Sequence, residues 1–211
     1  MSDQRTARAL LREAGTTYAE QAGFPLADKP MPLYRLLVLS VLLSTRIKAE
    51  IAVAAARELG EFPTAERMRA ATWQQRVDAL GRGHYVRYDE STATALGKGA
   101  ELVLDRYRGD LRRLRAEADG DPEEIRQRLR EVPSLGPVGA DIFCREAQQV
   151  WPELRPYFDR KALSGAEKAG LPADARRLAR LVDEQDYARF SAALVRITLE
   201  KGLLREITAT A

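Results

Sequence analysis

The string Glu131-Val132-Pro133-Ser134-Leu135-Gly136-Pro137-Val138-Gly139-Ala140-Asp141 holds the residue types with the plainest chemistry in this sequence. A glycine turn that feeds a helix leaves backbone amides unpaired. Those amides and the positive end of the helix dipole favour an anion, phosphate above all. Gly136 lets a phosphate approach the backbone closely, and Gly139 with Ala140 keeps the helix surface small where a polyanion such as DNA would come near. The same string also fits an ordinary turn between two helices. The second candidate is Asp159, within Tyr157-Phe158-Asp159-Arg160-Lys161. It reads either as the N-cap of a helix over Ala162–Ala169 or as a carboxylate in a functional pocket.

Helices must position both groups. Apolar spacing is helical nearly throughout, and no convincing strand pattern is present. Asp121-Pro122-Glu123-Glu124 is a strong helix start, with Asp121 as cap and Glu124 completing a capping box. Ile125, Leu129 and Val132 mark the buried face of that helix. Residues 133–137 turn the chain, and a second helix runs from Pro137 to about Val150. The pair forms a helix-hairpin-helix over roughly residues 122–149. Upstream, Asp3 caps a first helix with apolar positions Ala7, Leu10, Leu11, Ala14 and Tyr18. Pro32 opens a stretch, Leu33–Leu43, that is apolar nearly all round, the signature of a buried central helix. Ile47–Leu59 follows. Thr64 and Thr72 each start a short helix. Residues 81–91 break the rhythm with two glycines, two tyrosines and two arginines. Ser91–Tyr107 is helical again despite Gly97 and Gly99, and Leu111–Ala118 is a basic amphipathic stretch. Residues 173–208 hold two or three amphipathic helices.

Composition narrows the partners. The chain has 211 residues, enough for one large domain or two small ones. Lys and Arg total 34 against 31 Asp and Glu, so the net charge of +3 permits a polyanionic partner without demanding one. Cys144 is the single cysteine, which leaves no intramolecular disulfide and no Cys-based zinc or iron–sulfur site. Leu36–Leu43 is the longest apolar run, far short of the ~20 residues that span a bilayer. The expectation is a cytoplasmic, nucleoid-associated monomer with no membrane contact.

Val-Pro-Ser-Leu-Gly-Pro-Val-Gly-Ala-Asp resembles the hairpin of the endonuclease III superfamily of DNA glycosylases, Leu-Pro-Gly-Val-Gly-x-x-x-Ala. The buried helix running into Ser44-Thr45-Arg46 resembles that family's Leu-Leu-Ser-x-Gln segment, and Gly81–Tyr85 resembles its Gly-Leu-Tyr loop. Asp159 lies 21 residues after Val138, close to the interval at which the family places its essential aspartate. Three features depart from the pattern. Ser134 replaces the first hairpin glycine, Val138 stands where bifunctional members carry a lysine nucleophile, and the four-cysteine cluster is missing.

The resemblance implies an all-α fold of two helical lobes with a DNA groove between them. One lobe spans residues 30–150, and the other joins 1–29 to 151–211. It implies a repair protein like a monofunctional DNA N-glycosylase that flips and excises a damaged or mispaired base from double-stranded DNA. Asp159 would stabilise positive charge on the sugar or activate a water, beside an apolar wall of Tyr157 and Phe158. Ser134, Gly136, Val138, Gly139, Arg46, Arg87 and Lys161 would contact DNA, Arg46 as the residue that fills the gap left by a flipped base. Val138 cannot form a Schiff base, so lysine-mediated strand cleavage at that position is ruled out chemically. A monovalent cation at the hairpin fits the resemblance. The competing expectation is a catalytically inactive protein that senses DNA structure. His84, with Tyr85 and Arg87, reads as a DNA contact or as a plain loop residue. Arg112, Arg113 and Arg115 read as a solvated face, and Cys144, Trp73 and Trp151 as packing residues.

Overall fold

The computed structural model describes residues 2–209, and among them every regular element is helical. Packing divides the chain into two compact units, Met1–Thr17 with Cys144–Ala211, and Tyr18–Phe143. The sequence draws these boundaries at 30 and 150. Residues 18–24 pack with the larger unit because they carry apolar side chains that it covers. Tyr18, Ala19, Ala22 and Phe24 are buried, and the Arg35 guanidinium lies 4.3 Å above the Phe24 ring.

The first helix, α1 (Asp3–Ala14), belongs to the smaller unit. It starts one residue earlier than the sequence suggests, with Ser2 at the N-cap, and it stops before Tyr18. Tyr18 opens a separate turn of helix, α2 (Tyr18–Gln21), in the larger unit. There follow α3 (Pro30–Leu43), α4 (Ala49–Glu58), α5 (Ala65–Ala70) and α6 (Trp73–Arg82). The larger unit continues with α7 (Asp89–Tyr107), α8 (Leu111–Glu117), α9 (Pro122–Leu129) and α10 (Gly136–Ala147), the last crossing the division at Phe143.

α3 is buried almost all round, with Leu33, Leu36, Leu39 and Leu42 fully enclosed, as its uniform apolarity requires. It packs on α4, while α7 packs on α5 and α6. The glycines inside α7 allow close approach on two sides, to α6 and to the segment after α9. A Cβ at Gly97 would stand 2.8 Å from Arg76 Nη2, and one at Gly99 would stand 3.3 Å from Val132. Arg76 fills the space Gly97 leaves and donates to the carbonyls of Met68, Ala71 and Ala93.

The smaller unit is completed by α11 (Arg160–Lys168), α12 (Ala175–Ala179), α13 (Tyr187–Leu199) and α14 (Leu203–Ala209). α13 packs between α1 and α11 over a core that includes Leu10, Phe158, Leu178, Phe190 and Leu194. Gly165 allows the close crossing of α11 and α13, since a Cβ there would fall 1.9 Å from the Leu194 carbonyl oxygen.

Candidate nucleic-acid interface

The hairpin is built by α9 and α10. Asp121 caps α9 by accepting from the Glu124 amide at 2.8 Å. The reciprocal half of the expected capping box does not form. The Asp121 amide donates to Ala118 O instead, and the Glu124 carboxylate pairs with Arg128 one turn on. The turn itself rests on two left-handed residues, Ser134 at φ +65 and Gly136 at φ +53. Glycine is the residue that takes this conformation without strain. Ser134 takes it at a cost of ~1–2 kcal/mol. Ser134 therefore holds a backbone shape that suits glycine.

Proline spacing shapes the donors. Pro133 and Pro137 have no N–H. The Leu135 amide donates to Val132 O, and the Gly139 amide to Leu135 O. The amides of Ser134, Gly136 and Val138 find no acceptor among the described residues. Ser134 and Val138 are exposed, Val138 by 62%. A Cβ on Gly136 would meet nothing within 4 Å, so the space before it is open. Three unpaired amides at alternate positions, one just before α10 and two in its first turn, suit an oxyanion.

Gly139 has a different role from the one its sequence position suggests. It is buried, and a Cβ there would meet Leu135 Cδ1 at 2.9 Å and Ser44 Cβ at 3.4 Å. Its smallness, like that of fully buried Ala140, serves packing within the unit rather than a clear surface for DNA.

Two neighbouring loops are tied to the hairpin. Ser44 Oγ lies 2.8 Å from Val41 O and 3.3 Å from the Ser134 carbonyl, sharing one proton between them. Thr45 donates to Leu42 O at 2.9 Å and so accepts from the hydroxyl of fully buried Tyr85 at 2.8 Å. The 44–48 loop, the 83–88 loop and the hairpin thus gather at one end of the larger unit. Their exposed side chains include Arg46, Lys48, His84, Val86 and Arg87. Arg46, Lys48 and Arg87 make no ion pair among the described residues, and Arg87 lies 5.1 Å from the Tyr88 ring centroid. Lys48 was not legible as part of this cluster, because nothing in its local sequence marks it. His84 sits at φ +62, a strained turn position, and Tyr85 is a structural anchor rather than a surface contact.

The monovalent cation can be tested against the same turn. The carbonyls of Val132, Ser134 and Leu135 each accept one hydrogen bond and keep a second lone pair. They fit such an ion. Cys144 is fully buried, and a single thiol cannot supply the ligands of a four-cysteine cluster.

Asp159 and Lys161 lie in the other unit. Asp159 is the N-cap of α11, with Oδ1 accepting from the Ala162 amide at 3.0 Å. Its second oxygen accepts from Arg145 Nη1 at 2.7 Å. The two side chains are only 3% and 7% exposed, for Arg145 and Asp159 respectively. The local sequence of Asp159 gives no hint of Arg145, which is 14 residues away and reaches it from the last turns of α10. Buried Gln148, in the turn just after α10, holds the approach to the cap through both backbone groups of Tyr157. Phe158 does not line a pocket. It stands edge-on to Tyr187 and Phe190 in the core of this unit. Lys161 is exposed in the first turn of α11.

The other residues fall as follows. Trp151 is buried, but Trp73 is 41% exposed and donates to Thr94, so it is not a core residue. Arg112 and Arg115 pair with Asp110 and Asp28 on a solvated face.

No family model matches the chain, and no curated protein matches it. Its fold is similar to two solved structures. One is a trapped endonuclease III–DNA covalent intermediate, an estranged-adenine complex, with a TM-score of 0.50 and 15% identity. The other is a non-covalent endonuclease III–DNA complex, with a TM-score of 0.53 and 14% identity. Each likeness covers 92% of this chain and 85% of the other. At such identity the likeness defines the fold, an endonuclease III-like all-α architecture.

Proposed function

We propose that this protein is a DNA-repair protein that grips the backbone of double-stranded DNA, damaged or distorted, through the 134–138 hairpin. The observation that carries this reading is the set of three acceptor-free amides at Ser134, Gly136 and Val138. Arg46, Lys48 and Arg87 supply the cations that neutral amides lack. A monovalent cation on the hairpin carbonyls would add positive charge beside the phosphate. The protein acts as a monomer in the nucleoid.

For chemistry, the Arg145–Asp159 pair favours the structure-sensing protein without catalysis. Stabilising a cationic sugar calls for a carboxylate with uncompensated charge. Here one oxygen is taken by a helix cap and the other by a buried guanidinium. The alternative, a monofunctional N-glycosylase using Asp159, is supported by the fold's likeness to endonuclease III–DNA complexes and needs Asp159 released from Arg145.

Binding is tested by fluorescence anisotropy on intact, mismatched and abasic duplexes. Three cations at phosphates give a slope near −3 in log K against log salt, from ~0.9 per charge. Gly136→Glu places a carboxylate before the free amides and weakens binding to all duplexes at least ~tenfold, the loss of one charge-assisted hydrogen bond. Gly136→Asn, which tolerates the left-handed turn, controls for folding. Salt-independent binding, or unchanged binding by Gly136→Glu, refutes the hairpin reading. Release of free base from duplexes carrying uracil, oxidised, alkylated or mismatched bases decides between the two chemical readings.

A further inference from the structure

A cavity of about 540 Å³ opens on the larger unit at the end of α3 remote from the hairpin. It is formed where the start of α3, the start of α5 and the α7–α8 turn meet. Its volume lies within the ~300–1,000 Å³ of small-molecule sites. The 14 residues of α3 separate it from Ser44 and the hairpin by ~21 Å, at ~1.5 Å per residue. A ligand here is therefore distinct from the phosphate at the hairpin.

The lining is unevenly charged. Lys29, Arg108 and Arg113 are exposed on it, and none makes an ion pair among the described residues. Arginines of the same stretch that lie outside the lining do find acids. Arg106 pairs with Glu131, Arg112 with Asp110, and Arg115 with Asp28. Two acids also line the cavity. Asp110 is gripped by Arg112 at 2.7 and 3.0 Å, and that bond first of all, with Arg113 adding at longer range, holds its carboxyl below the usual range. Glu66 rests against Gly109. Cations without partners thus remain in excess.

The backbone singles out one of them. Arg108 ends α7 at φ +52 and is followed by Gly109 at φ +79. An arginine in this conformation is strained where glycine would not be. Its guanidinium makes no hydrogen bond or ion pair among the described residues that would offset the strain. The left-handed turn ends α7 and leaves the Arg108 side chain free to meet a ligand, a use that would account for an arginine at a position suited to glycine. Apolar side chains complete the lining, with Met31, 45% exposed, between Pro30 and Pro32.

We propose that this cavity binds a phosphorylated small molecule of nucleotide size, its phosphate held by Lys29, Arg108 and Arg113 and its flat body on Met31 and the flanking prolines. Guanidinium groups suit both parts of such a ligand, pairing with phosphate and stacking on a ring.

The test is calorimetric titration of the full chain with adenosine monophosphate, inorganic phosphate and adenosine. The monophosphate binds, phosphate binds more weakly, and adenosine binds weakest. Arg108→Gly relieves the strained turn, so its melting temperature does not fall, yet it weakens the monophosphate by roughly tenfold, as loss of a charged contact does. Arg113→Ala weakens it similarly. Duplex DNA binding is unchanged in both variants, because the hairpin is intact. Absence of monophosphate binding, or affinity unaltered in both variants, overturns the proposal. So does loss of DNA binding in Arg108→Gly without any nucleotide binding by the parent chain, since the cations would then belong to a DNA footprint.

Discussion

Replacing Asp159 by Asn perturbs a buried ion pair while leaving the helix cap in place. Asn caps helices about as well as Asp, so the bond from the Ala162 amide survives. What is lost is the charge facing Arg145, whose side chain is 3% exposed and whose Nε already lacks a partner. Removing one member of a buried pair typically costs ~3–5 kcal/mol, because the other charge stays buried and uncompensated. Against a total stability of ~5–15 kcal/mol for a domain, that is a large fraction without being complete loss. Arg145→Met alone should cost a comparable amount, since it strands the carboxylate. The double variant should cost less than the sum, with a coupling of ~2–3 kcal/mol for groups in direct contact. Urea unfolding followed by circular dichroism gives all four stabilities. If Asp159→Asn stays within ~1 kcal/mol of the parent chain, or if the two losses simply add, the pair does not stabilise the fold. The carboxylate would then be free for chemistry, and the reasoning that ranks binding above excision fails.

Other consequences are open to direct measurement. Gly165→Ala drives a methyl into the Leu194 backbone, where the Cβ–O separation would be 1.9 Å, and should cost at least ~3 kcal/mol, read as a lowered melting temperature. A small effect would mean that α11 and α13 separate easily. Borohydride treatment with abasic-site DNA should trap negligible covalent complex, because Val138 offers no amine; efficient trapping would point to Lys161 or another lysine. Burial above all raises the Tyr34 phenol above its usual range, with Arg76 opposing and Glu66 adding to the shift. The folded chain then holds that proton where the unfolded chain releases it. Stability is intact below pH ~10 and falls by up to ~1.4 kcal/mol per pH unit above it. Tyr34→Phe should flatten that alkaline slope in unfolding measurements from pH ~9 to ~12, and an unchanged slope would assign it to other groups.

Local signals in the sequence determined the helical architecture and the hairpin. The apolar run Leu33–Leu43 read as a buried central helix, Asp121-Pro122 marked the start of the first hairpin helix, and Gly136-Pro137 marked the start of the second. These are properties of neighbouring residues, because periodicity, caps and proline act over one or two turns. Even there, the second half of the Glu124 capping box lost to an ion pair with Arg128 in the next turn.

Tertiary structure alone decided which groups are free. Gly139 reads as a clear surface for DNA, yet Leu135 and Ser44 cover it. Phe158 reads as a pocket wall, yet Tyr187 and Phe190 enclose it. Asp159 could be read as a cap from the residues that follow it, but its second partner comes from another helix. The gathering of Ser44, Thr45, Tyr85 and Ser134 likewise joins segments that lie 40 and 90 residues apart. A carboxylate's availability for chemistry depends on every donor within ~3 Å, and such donors are assembled by packing over long sequence separations that no local pattern encodes.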